Sequence, residues 1–228
     1  MNRRQLFDYS AMSLLWGSSF LVMVKVIAAF GWIGAVTFRA FIASAALFVL
    51  AKALGRNLNF QVGWRHFAAL GSTTVALQLI GLAFSVPRIG TAMAAIFVAT
   101  IPLFSMVIGQ LWGVEHMTPL GRVGLGLGFL GMVLLVGFPT VAFSLDFVLG
   151  CLASIVGATA AAVGSNYARK YLQDIDSWTQ TIGAFLCGGL LTLPLLFFVP
   201  VPTIPRLIDY GYLVLLAVTM SAVCYVLY

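Results

Sequence analysis

The chain has 228 residues, of which 62% are hydrophobic and only 8% charged, more apolar side chain than one soluble core of that length can bury. Its net charge of +6 lies mostly in short links between apolar runs. That excludes the basic face of a nucleic-acid-binding protein and leaves a polytopic membrane protein.

A membrane span needs about 20 mostly apolar residues. Runs of that kind fall at 9–29, 32–54, 66–86, 91–112, 122–138, 147–171, 178–199 and 210–228. Backbone groups in lipid must pair within their own segment, and the runs lack the two-residue alternation of barrel strands. The expected fold is therefore an all-α polytopic membrane protein with eight transmembrane helices. The opening Met1-Asn2-Arg3-Arg4 is basic like a signal peptide. The apolar run behind it is too long, and no small-x-small site follows, so it reads as an uncleaved first span. Loops counted alternately place Arg3, Arg4, Lys52, Arg56, Arg65, Arg122, Arg169 and Lys170 on one side, against Arg88 and Arg206 on the other. That asymmetry predicts a cytoplasmic N-terminus in a plasma (inner) membrane.

Lys25 in the first span and Arg39 in the second are the sharpest chemical features, because a charge inside a span is costly and is a functional candidate by default. Their similar depth suggests an electropositive vestibule in which Arg39 grips a carboxylate or phosphate bidentately. Alternatively, Lys25 snorkels to the headgroups and Arg39 fixes helix packing. Trp16 and Ser19 in the first span, and Thr73 and Gln78 in the third, are further candidate substrate contacts. Gln78 both donates and accepts, and serves equally well as glue between helices. Pro102 in the fourth span cannot donate to the carbonyl of Val98, so a kink is expected that lines a polar cavity or only shapes packing.

The carboxylates Asp8, Glu115, Asp146, Asp174, Asp176 and Asp209 all fall near helix ends. The absence of a central carboxylate argues against proton-coupled export of cationic drugs. Asn166 and Tyr167 read as interfacial. Gly124-x-x-x-Gly128 and Gly157-x-x-x-Ala161-x-x-x-Ser165 read as packing faces, within the monomer or across a homodimer. Cys151, Cys187 and Cys224 read as small buried hydrophobes, and no metal, cofactor or catalytic constellation is expected.

The segment Leu70-Gly71-Ser72-Thr73-Thr74-Val75-Ala76 echoes Leu216-Ala217-Val218-Thr219-Met220-Ser221-Ala222 at an offset of 146 residues. Extended to neighbouring spans, the same offset predicts two five-helix repeats of opposite orientation, 1–138 and an incomplete 139–228. The chain would then be a C-terminally truncated form of a ten-helix protein. Inverted repeats with a midplane substrate site are a feature of secondary transporters.

Leu14-Leu15-Trp16-Gly17-Ser18-Ser19-Phe20, Phe38-Arg39, Ala94-Ala95-Ile96, Pro102-Leu103-Phe104, Gly113-Val114-Glu115, Thr118 and the stretch Gly124 to Leu135 together resemble the EamA-type transporters of the drug/metabolite transporter superfamily. The resemblance implies ten helices in two inverted halves and transport of small metabolites. The expected function is export of metabolites such as amino acids or organic anions by alternating access, with a small-molecule substrate and the lipid bilayer as partners and no nucleic acid. The rival readings are a small multidrug-type exporter, a membrane protein without flux, and an intramembrane enzyme, whose motifs are missing.

Overall fold

The computed structural model describes residues 3–61, 63–116, 118–136, 144–202 and 204–219. The regular structure in those residues is helical: α1 (Arg3–Ala53), α2 (Trp64–Leu70), α3 (Gln78–Ala99), α4 (Ile101–Leu111), α5 (Pro119–Val136), α6 (Leu145–Tyr171), α7 (Ser177–Thr192) and α8 (Leu207–Ala217). A π-helical stretch, Gly71–Leu77, welds α2 to α3, and a 3-10 turn, Leu193–Phe197, extends α7.

Two apolar stretches exceed any bilayer. Ser13–Ala53 holds 41 residues and Trp64–Leu111 holds 48, about 60 and 70 Å if straight, against about 30 Å of hydrocarbon. Neither is straight. Gly31 (φ 72°, ψ 170°) divides α1, and Gly90 (φ 80°, ψ 162°) divides α3. Positive φ with ψ near 180° is open to glycine but costs any side chain about 1–3 kcal/mol, so each glycine turns one long stretch into two spans. The predicted boundaries at 29/32 and 86/91 bracket these glycines. Helix starts are capped where chain re-enters: Ser144 Oγ accepts from Phe147 N at 3.1 Å, Asp176 Oδ2 from Trp178 N at 3.0 Å, and Asp209 Oδ2 from Arg206 N at 2.8 Å.

Contacts between distant residues sort the molecule into two ends. At one, Leu47 and Ala51 pack with Trp178 and Ile182, Thr179 Oγ1 accepts from Asn59 N, Tyr167 Oη meets His66 Nδ1 at 2.9 Å, and Lys170 Nζ donates to Trp112 O. At the other, Pro202 lies against Gly31, Phe30 against Tyr210, Trp32 against Phe84, and Arg88 faces Asp146 at 3.9 Å. This is the up–down alternation expected of consecutive spans. The first end collects Lys52, Arg56, Arg65, Arg122, Arg169 and Lys170 and is called the basic end; the second is the glycine-turn end.

Small residues let the helices close up. Gly81 of α3 faces Ala153 and Gly157 of α6; Gly71 faces Gly188 and Ala184 of α7 so closely that a Cβ would meet backbone at 2.6 Å. The Gly157 face predicted for packing is used for that. In α5 Gly128 is engaged, on Leu103, whereas Gly124, Gly126 and Gly131 face open space. The π stretch has a local cause. Ser72 Oγ and Thr73 Oγ1 both donate to Ala69 O (3.0 and 2.7 Å), and Thr74 Oγ1 donates to Leu70 O at 2.7 Å. Hydroxyls crowding these carbonyls compete with the normal i−4 amides. The eighth span turns π-helical at Val218–Thr219, where Thr219 Oγ1 donates to Leu215 O. Thr219 and Leu215 stand at the 146-residue offset from Thr73 and Ala69.

Candidate functional site

A cavity of about 590 Å³ lies among the spans, the size of a small-molecule site. The first span contributes Trp16, Ser19, Phe20 and Met23; the second contributes Arg39. The third gives Leu70, Thr74, Val75, Gln78, Leu79 and Leu82, and the fourth gives Val98 and Ile101. Ala161, Gly164, Ser165 and Ala168 come from α6, and Gln180, Thr181, Ala184 and Phe185 from α7.

Depth follows from helical rise. Met23, Arg39, Leu82 and Val98 each stand eight residues from a turn glycine, about 12 Å below the glycine-turn end. Between them and that end lies close-packed apolar side chain: Val26, Ile33, Ile89 and Phe97 are each at most 2% exposed. At the other extreme, Ala168 and Gln180 sit three residues from the ends of α6 and α7, about 5 Å from the basic end. The cavity is plugged on the glycine-turn side and extends almost to the basic end.

Four of the seven predicted site residues line it together: Trp16, Ser19, Arg39 and Gln78. Lys25 does not. It is exposed on the helix surface away from the cavity, as snorkelling requires, so the expected pair of cations in one vestibule is not formed. Thr73 also misses the wall. Its hydroxyl is tied to Ala69 O and lies against Gly164, while its neighbour Thr74 takes the lining position. Pro102 is exposed. The interruption it was expected to cause is real: the helix breaks at Thr100, with Pro102 in the first turn of α4. The cavity is lined by the flanks of that break, Val98 and Ile101, not by the proline.

Sequence reasoning missed Thr74, Ser165, Gln180, Thr181 and the aromatic ring of Phe185. A signal existed for some of them. Ser165 closes the small-residue face Gly157-x-x-x-Ala161-x-x-x-Ser165, whose upper part packs on α3 and whose lower part opens on the cavity. Gln180 and Thr181 fall one turn into α7, where polar residues read as helix-end chemistry. Asn166 is not interfacial as expected. It is fully buried, and its Nδ2 donates to Ser105 O, Ser105 Oγ and Ala162 O at 2.9–3.0 Å. Glu115 pairs with Arg169 at 3.5 Å at the basic end, in keeping with a packing role. Cys151 and Cys187 are free and half-buried; Cys224 lies outside the described residues. No group of three or more potential metal ligands occurs among the described residues.

A comparison with curated proteins returns no match. A solved structure described as "Crystal structure of protein" superposes with a TM-score of 0.73 at 18% identity, covering 98% of this chain and 77% of that one, which establishes the shared fold. The family model for the EamA-like transporter family matches residues 10–137, more than half of the sequence and every span of the predicted first repeat. The chain belongs to the EamA-like transporter family.

Proposed function

We propose that this chain moves small metabolites across the plasma (inner) membrane by alternating access, exporting amino acids or organic anions, with the basic end and the N-terminus in the cytoplasm. The reading rests on one observation above all. A cavity sized for a metabolite is built from six spans, plugged toward one end and reaching almost to the other. A site accessible from one side at a time is what alternating access requires. The cationic asymmetry between the two ends supports the orientation. The threonine–carbonyl pairs at the 146-residue offset, Thr73–Ala69 and Thr219–Leu215, support an inverted repeat, whose halves would rock around the cavity.

Arg39 in the wall, with no Asp or Glu among the described lining residues, weighs against the small multidrug-type alternative, which needs an acidic partner for its cationic cargo. Proteoliposomes preloaded with unlabelled amino acids and carboxylates should accumulate the matching radiolabelled solute by counterflow. Replacement of Arg39 by Ala should reduce that uptake at least tenfold, an effect of about 1.4 kcal/mol or more. Counterflow of no solute by folded protein would remove the transport reading.

A further inference from the structure

The polar groups of the cavity are not interchangeable, because most have already spent their donors. Ser19 Oγ donates to Trp16 O at 2.5 Å, Thr74 Oγ1 to Leu70 O at 2.7 Å, Ser165 Oγ to Ala161 O at 2.9 Å and Thr181 Oγ1 to Ser177 O at 2.9 Å. Each hydroxyl has one proton and gives it to its own helix, so toward the cavity it presents only lone pairs. Gln180 does the same. Its Nε2 donates to Leu172 O at 2.9 Å and Ile175 O at 2.8 Å, and two carbonyl partners fix which way the amide is turned. Its carbonyl oxygen is what remains. Ser165, Thr181 and Gln180 therefore make an acceptor-only patch near the basic end.

Donors gather deeper. Arg39 carries five N–H groups, enough to hold a ligand oxygen alongside a protein contact. It is the sole cation among the described lining residues, which include no carboxylate. Arg39 stands 14 residues from Ala53 and Thr181 four from Ser177, both counted from the basic end. Their levels differ by roughly 15 Å along the helix axes, less the reach of the arginine side chain. Trp16, Phe20 and Phe185 wall the space between.

Resting on the reading of this cavity as the transport site, we propose that it selects organic monocarboxylates that have an apolar or aromatic body and a hydrogen-bond donor at the far end. The carboxylate meets Arg39; the distal hydroxyl or N–H donates into the Ser165–Thr181–Gln180 patch. Charge decides between this class and zwitterions. A ligand carboxylate gains charge-assisted hydrogen bonds from the guanidinium, whereas an added ammonium would bring a cation to the neutral oxygens of the patch alone.

Four compounds with one ring separate the possibilities: 4-hydroxyphenylacetate, phenylacetate, tyrosine and tyramine, each titrated calorimetrically into the purified full chain in detergent. The expected order places 4-hydroxyphenylacetate first, phenylacetate and tyrosine about tenfold weaker, and tyramine about a hundredfold weaker or undetectable. Thr181→Val together with Ser165→Ala should bring 4-hydroxyphenylacetate most of the way down to phenylacetate, the Gln180 carbonyl remaining, and leave phenylacetate nearly unmoved, a selective effect that misfolding would not produce. Arg39→Lys should keep part of the anion preference that Arg39→Ala abolishes. Tyramine binding as well as 4-hydroxyphenylacetate, unchanged affinity in Arg39→Ala, or no binding by any of the four at millimolar concentration would overturn the proposal. Flux of the same compounds in proteoliposomes is read separately. The expected binding order without flux defeats the transport reading and leaves the ligand class standing; flux of tyramine alone does the reverse.

Discussion

At the scale of single residues, the polar groups of this chain divide by what they do with their protons. Asn166 shows the structural use. Fully buried, it sends Nδ2 to two atoms of Ser105 and to Ala162 O, tying α6 to α4 where Gly109 leaves room for its amide. Hydrogen bonds between spans contribute modestly, because the unfolded chain in a membrane also finds partners. Asn166→Leu should lower unfolding stability by about 1–2 kcal/mol and Ser105→Ala by less, since the Ser105 carbonyl still accepts. Denaturation of the detergent-solubilised protein in SDS would measure both, and a Ser105→Ala loss as large as that of Asn166→Leu would mean that the hydroxyl carries the link. Asn166 was misplaced from sequence because distance from a helix end gives depth but not facing. Arg39 and Gln78 were legible because an expensive residue in lipid marks an inward face, and Trp16 because it stands at mid-depth, away from the interfacial belt where tryptophan is usual. Hydroxyls that satisfy themselves on their own helix, such as Thr181, carry no such cost and so no such mark.

At the scale of elements, the spans were legible because lipid allows the backbone one solution and the apolar runs have the matching length. Their joints follow from two glycines. Gly31 and Gly90 share a positive φ, but their surroundings differ. A Cβ at Gly31 would meet Pro202 Cδ at 3.1 Å, and one at Gly90 would meet nothing within 4 Å. Gly90→Ala should therefore cost about 1–3 kcal/mol from backbone conformation alone, and Gly31→Ala measurably more because Pro202 must also move. Equal losses in thermal unfolding would show that Pro202 yields freely. The π-helical stretch Gly71–Leu77 was not legible. It arises from three neighbouring hydroxyls that all find carbonyls one turn back and from the tight seat of Gly71 on α7, and the second condition is tertiary. The uneven use of the α5 glycines has the same origin: spacing alone cannot say which of them meets a partner helix.

At the scale of the whole molecule, the cavity and its plug divide the interior into an open and a close-packed half. Ser165 is exposed and lines the cavity near the basic end, whereas Ile33 is 1% exposed within the plug. If the two halves rock, the plug must open when the basic end closes, and the two positions should exchange accessibility. Cysteine placed at each position, after replacement of Cys151, Cys187 and Cys224 by Ala, reports this directly with a membrane-impermeant thiol reagent. Ser165→Cys should react from the basic side, and bound substrate should slow that reaction. Ile33→Cys should be nearly inert without substrate and gain reactivity from the opposite side when substrate is present. Substrate then shifts a population between two states, which it can do only if its affinity for them differs. Equal labelling of Ile33→Cys with and without substrate, alongside protected Ser165→Cys, would leave a binding cavity without a moving plug. The rocking mechanism would then fail even though the site is real.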